Sequence, residues 1–148
     1  MSSHPPTSVL LPTVSPTPVI EEVAAQLGPS DELLIVCDAE SDPIARRATT
    51  LPDSARIVVA GEPEGCSGKA NAIAAGMEAA RHDRLVWTDD DFAHPEGWLD
   101  QLHADYERDG PTTELPFFVG RDPLSVLLEP LYAVAGTVGT YTGDIAWG

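Results

Sequence analysis

Short apolar runs alternate along this chain with segments of helical periodicity. Ser8-Val9-Leu10-Leu11 reads as a buried strand, and Val19, Ile20, Val23, Ala24 and Leu27 recur at helical spacing between Pro18 and Leu27. Gly28-Pro29 stops that helix. Leu33 to Cys37 is a second buried strand ending at Asp38, a weak helix from Pro43 to Leu51 follows, and Arg56 to Ala60 is a third strand. The clearest helix runs from Ser67 to about Arg81, with Ala70, Ile73, Ala74, Met77 and Ala80 on one face and Ser67 as its cap. Leu85-Val86-Trp87 is a fourth strand that runs into Asp89-Asp90-Asp91. Pro95, with Glu96 in the first turn, opens another helix carrying Trp98, Leu99, Leu102 and Tyr106 on one side. Leu124 to Thr142 is largely apolar and near the roughly 20-residue length of a membrane span, yet Glu129, Pro130, Gly136 and Gly139 favour a buried or interface-lying hairpin.

Strands alternating with helices predict an α/β fold: a three-layer sandwich around a mostly parallel sheet. Ligands of such sheets bind beyond the carboxyl ends of the strands. Thr13, Asp38 and Asp89 to Asp91 all follow strand ends, so they are expected on one edge.

Composition narrows the ligand. The 148 residues carry 24 acidic and 8 basic side chains, a formal net charge of −16. Such a chain repels nucleic-acid backbones, so any anion must be held locally by backbone N–H groups, a few basic residues or a cation. Lys69 is the only lysine, and surface acid with so little lysine resembles halophilic composition. Cys37 and Cys66 have no metal-type spacing, and a reducing, cytoplasmic setting fits. The N-terminus lacks the basic flank and long apolar run of a signal peptide.

Three segments could carry chemistry. In an extended segment Asp89 and Asp91 would point the same way and repel, and a hard divalent cation such as Mg²⁺ relieves that when substrate phosphates complete its shell. Taken alone, the triplet reads equally as a metal site or as a solvated acidic loop. It is no helix–loop–helix calcium loop, because Ala93 and His94 stand at the fifth and sixth positions. His94 and His103 are candidate additional ligands, though single histidines are more often solvated. Gly61 to Ala70 is no P-loop either, since Pro63 and Ala70 occupy positions that need Gly and Ser or Thr. It remains a Gly-rich loop feeding a helix N-terminus, with Lys69 set against the helix dipole. Asp38 is placed to bond ribose hydroxyls or a base N–H, while Asp42 reads as the N-cap of the next helix, ahead of Pro43.

In this order the pieces resemble the family 2 glycosyltransferases of GT-A fold, in their membrane-associated branch. Ser8-Val9-Leu10-Leu11-Pro12-Thr13 is similar to that family's opening strand, and Asp38 with the Ser41-Asp42 turn to its second-strand acidic turn. Gly68-Lys69-Ala70-Asn71-Ala72-Ile73 resembles its Gly-Lys helix start, and Leu85 to Asp91 the strand entering an Asp-x-Asp motif. Pro95 with Trp98-Leu99 resembles its Pro-x-x-Trp-Leu pattern. The resemblance implies one GT-A domain over 1–148, truncated at its C-terminus, with a nucleotide-binding half at 8–115 and the start of an acceptor half at 116–148. It implies a metal-dependent, inverting transfer of sugar from a nucleoside-diphosphate donor to a lipid or saccharide acceptor. Pro12, Thr13, Asp38, Lys69, Asp89 and Asp90 would bind donor, and Asp91 with Asp89 would hold Mg²⁺ or Mn²⁺. The catalytic base is expected beyond Gly148, after the strand that Ala146-Trp147-Gly148 begins. The alternatives are a non-catalytic metal–nucleotide-binding module and a nucleotidyltransferase. The latter ranks lower because Val14 to Pro18 is not Gly-rich or basic.

Overall fold

The computed structural model of the chain describes residues 4–113 and scattered helical positions between 123 and 135. Four strands, β1 (Thr7–Pro12), β2 (Glu32–Cys37), β3 (Ala55–Val59) and β4 (Arg84–Trp87), form an all-parallel sheet in the order β3-β2-β1-β4. Leu10 lies opposite both Leu34 and Trp87, and Ile35 opposite Ile57. The chain steps outward from β1 to β3 and then returns to the other side of β1. The gap between β1 and β4 is therefore the topological switch point of the sheet.

The apolar runs became strands because both faces of the sheet are covered. Alternate residues serve opposite layers. Val9, Leu11, Leu33, Ile35 and Cys37 pack with Val19, Ile20 and Val23 of α1 (Val19–Ala24), with Ile44, and with Leu99 of α3 (Trp98–Asp109). Leu10, Leu34 and Val36 pack on the other face against Ala72 of α2 (Gly68–Ala79). Cys37 is the buried small hydrophobe expected, and burial raises its thiol pKa.

Several local expectations are corrected. The helix expected over Pro43 to Leu51 is a 3₁₀ helix over Ala45–Thr50. Asp42 does not cap it: its carboxylate turns back to accept from the amides of Asp38 (2.9 Å) and Ala39 (2.8 Å). Helix α2 starts as expected, with Ser67 Oγ accepting from the Ala70 amide at 3.2 Å. However, it buries Ala72 and Gly76, leaving Ala70, Ala74 and Met77 exposed. Gly76 explains the choice, since a Cβ there would sit 2.7 Å from Leu10 Cδ2. The helix expected from Pro95 begins at Trp98, because Gly97 takes a φ of +83°. It buries Leu99 and His103, while Tyr106 is exposed.

The amino ends of the strands hold a buried polar layer. Asp31 accepts from the amides of Thr7 (2.9 Å) and Gly28 (2.7 Å). Glu32 accepts from Ser8 Oγ (2.8 Å), the Arg81 amide (2.7 Å) and Arg56 Nε (3.1 Å), while Arg56 also donates to the Ala79 carbonyl. Desolvation raises the Glu32 pKa, but these donors outweigh it and hold the carboxyl below its ordinary value. His103 lies 3.3 Å from both Thr7 Oγ1 and an Arg84 guanidinium nitrogen, and stacks on His4 at 3.7 Å. Desolvation, together with the charge near His4 and Arg84, brings its pKa to about 4.

The chain divides into two compact units, Met1–Ala104 and Asp105–Gly148. In the second, Arg108 pairs with Asp105 and Asp109. No helix of the described residues is long and apolar enough to cross a membrane. Most of the apolar stretch at 124–142, and the strand expected at Ala146, lie outside the described residues.

Candidate functional site

The strand ends bring most of the expected residues to the carboxyl edge. Thr13 extends the β1–β2 ladder, its amide donating to the Val36 carbonyl at 2.9 Å, and the Thr88 amide extends β4 by donating to the Leu10 carbonyl at 3.0 Å. These bonds place the loops after β1 and β4 side by side at the switch point. Across it, Thr13 Oγ1 lies 2.6 Å from Asp90 Oδ2 and 2.9 Å from the Ser15 carbonyl. One hydroxyl proton serves only one of these at a time. Thr17 Oγ1 donates to the Asp90 carbonyl at 3.3 Å.

Lys69 reaches the same edge from the first turn of α2. Its Nζ donates to Asp89 Oδ2 at 3.0 Å. The lysine set against its helix dipole thus has a partner across 20 residues of chain. Asp38 is exposed at the end of β2, and its carbonyl accepts from the Gly61 amide at 3.0 Å. Pro12 ends β1 and is half-buried.

The triplet is not the extended strand segment expected from the sequence. Strand β4 ends at Trp87, and Asp90 and Asp91 form a turn, so extended-chain spacing does not set their directions. Asp89 faces Lys69, Asp90 faces Thr13, and Asp91 is exposed. Among the described residues no three His, Cys, Asp or Glu side chains form a metal cage. Hard carboxylate oxygens suit Mg²⁺ or Mn²⁺, which bind through one or two carboxylates when phosphates complete the shell. So few carboxylate oxygens would suit an ion whose shell a bound diphosphate completes and would hold the ion alone only weakly.

The two histidines are not arranged as ligands of such an ion. His103 lies in the polar layer at the opposite edge. His94 is buried beside the triplet, its Nε2 hydrogen-bonded to Thr88 Oγ1 and its ring edge-on to Trp98 at 4.5 Å. Among the described residues its Nδ1 has no hydrogen-bond partner, and Glu22 Oε2 lies 3.9 Å away. Burial holds the imidazole below the usual histidine range, against the opposing pull of Glu22.

Sequence reasoning gave no role to Asn71, although its amide donates to the carbonyls of Ala60 (3.3 Å) and Gly61 (3.0 Å) and so ties α2 to the loop after β3. A polar residue at the inner face of a helix's first turn was the available signal. A cavity of about 380 Å³ opens between Pro16–Ile20 and the 3₁₀ helix, with Arg47 in its wall. None of the three aspartates lines it.

The parallel sheet and the polar loops at its switch point define a doubly wound, Rossmann-like α/β protein. The chain matches the family model described as glycosyl transferase family 2 over residues 17–136. It belongs to that family, as the resemblance implied, and the four-stranded parallel sheet agrees with the GT-A expectation. No curated protein matches the chain.

Proposed function

We propose that the chain binds a nucleoside-diphosphate sugar at the β1–β4 switch point and serves an inverting transfer of the sugar to a lipid or saccharide acceptor. Membership of the family supports glycosyl transfer in general and a nucleotide-sugar donor with it. The observation that carries the placement is the 2.6 Å approach of Thr13 to Asp90, which joins the loops after β1 and β4.

In this reading Pro12, Thr13 and Asp38 line the nucleoside, and Lys69, the cation paired with Asp89, meets the diphosphate. Asp89 and Asp90 orient the donor, and Asp91 with Asp89 holds Mg²⁺ or Mn²⁺. When bound, the ion would act as a Lewis acid on the departing diphosphate. The side chains must present oxygens and one cation in a fixed array, because catalysis needs charge stabilisation where charge develops. An inverting displacement also needs a general base for the acceptor hydroxyl, and we assign none among the described residues.

Calorimetric titration of uridine and guanosine diphosphate with Mn²⁺, into the unaltered chain and into Asp91→Asn, tests the residue assignment. The substitution should weaken binding at least about tenfold, ~1.4 kcal/mol. Equal affinity in both chains would remove Asp91 from the site.

A further inference from the structure

The loop that carries the triplet is closed by a side chain with no role so far. Thr88 and His94 are the two ends of the segment that holds Asp89, Asp90 and Asp91. Their side chains bond to each other through Thr88 Oγ1 and His94 Nε2. Each end is also held from outside. The Thr88 amide is tied to Leu10 of β1. The His94 amide donates to Glu22 Oε2 at 3.3 Å, and its carbonyl accepts from Gln26 Nε2 at 3.2 Å, both on or just after α1. Gln26 Oε1 then accepts from the Leu99 amide at 3.3 Å, which ties α1 to the start of α3.

We infer that His94 is a positioning residue that, through Thr88, closes the acidic loop and holds its carboxylates in place for the donor. Three adjacent carboxylates repel one another, and an untied loop would relieve that by spreading into solvent. A bond across the base of the loop resists this without using any carboxylate oxygen. With its proton on Nδ1, toward the Glu22 carboxylate 3.9 Å away, the ring leaves Nε2 to accept from the Thr88 hydroxyl. The side chain is buried against Trp98, so ring position is set by packing as well as by bonding. The bond acts on the loop backbone, and through it on where the carboxylates stand, just as partners outside a coordination shell orient metal ligands.

This inference rests on the donor-site reading, so its test has two arms. Thr88→Val removes the hydroxyl at nearly constant shape, and Thr88→Ser restores it. In the ligand-free chain, amide hydrogen exchange at Asp89 to Asp91 should speed up in Thr88→Val and stay close to unaltered in Thr88→Ser. In calorimetry, Mn²⁺ with uridine diphosphate should bind about tenfold more weakly to Thr88→Val, with recovery in Thr88→Ser. His94→Gln, which keeps an acceptor for that hydroxyl, should lie nearer the unaltered chain than His94→Leu. Unchanged exchange in Thr88→Val, or equal losses in the Val and Ser variants, would overturn the inference. Failure of the unaltered chain to bind the nucleotide would overturn the donor-site reading instead, and the exchange arm would still decide whether the bond closes the loop.

Discussion

Lys69 and Asp89 are joined by a 3.0 Å hydrogen-bonded ion pair between the first turn of α2 and the loop after β4. With the lysine side chain 45% exposed, solvent screens the pair, and it should contribute no more than ~1 kcal/mol to stability. Its importance is therefore local: the only lysine is the counter-ion of a site that otherwise carries three acids. Lys69→Met should shift two affinities in opposite directions. Mn²⁺ alone should bind more tightly, because a competing cation is gone. Uridine diphosphate with Mn²⁺ should bind about tenfold more weakly, ~1.4 kcal/mol. Calorimetry of both ligands checks this, and a parallel loss in both would contradict the role given to Lys69.

Gly76 sets how closely α2 approaches the sheet. A methyl group there would lie 2.7 Å from Leu10 Cδ2 and 3.1 Å from Val36 Cγ2. Overpacking of this kind costs ~1–3 kcal/mol and opposes the ~1 kcal/mol that alanine normally gains over glycine inside a helix. Gly76→Ala should lower the urea midpoint. Gly68→Ala, with nothing within 4 Å of the added carbon, should not lower it. Equal midpoints in the two variants would show that the helix has room to move.

Acid should destabilise the protein in two separable windows. His103 has its pKa lowered from 6.5 to about 4, chiefly by burial beside His4 and Arg84. The unfolded chain therefore takes up the proton first, and stability falls as pH drops from about 6.5 to about 4, by roughly 3 kcal/mol. Burial of His94 adds in the same direction. Glu32 has a folded pKa below its ordinary 4.5, so its contribution is present above that value and is lost as pH falls through the lower one. Urea unfolding across pH should show a flatter upper window in His103→Gln and an unchanged loss below 4.5. A slope between pH 6.5 and 4 equal to that of the unaltered chain would contradict the neutral state of buried His103.

Much of this fold was legible because parallel strands buried on both faces read as unbroken apolar runs, as Leu33 to Cys37 does. The ends of those runs located Thr13, Asp38 and the triplet on one edge. Helix faces were less legible. An alanine-rich helix carries little directional signal, and α2 turned on Gly76, whose value lies in having no side chain. Gly97 delays a helix start that Pro95 and Glu96 otherwise satisfy, because it takes a positive φ that the sequence does not dictate. The role of His94 was hidden for a further reason. It depends on Thr88, Glu22 and Gln26, three residues that only tertiary structure brings together.

In the proposed function the β1–β4 edge binds a nucleoside diphosphate through a divalent cation. Titrating uridine and guanosine diphosphate into the unaltered chain, once with Mn²⁺ and once with a chelator, tests it most directly. Saturable binding of at least one nucleotide is expected with the metal, with a loss of at least about tenfold in the chelator. Binding of equal strength in the chelator, or none under either condition, would contradict it.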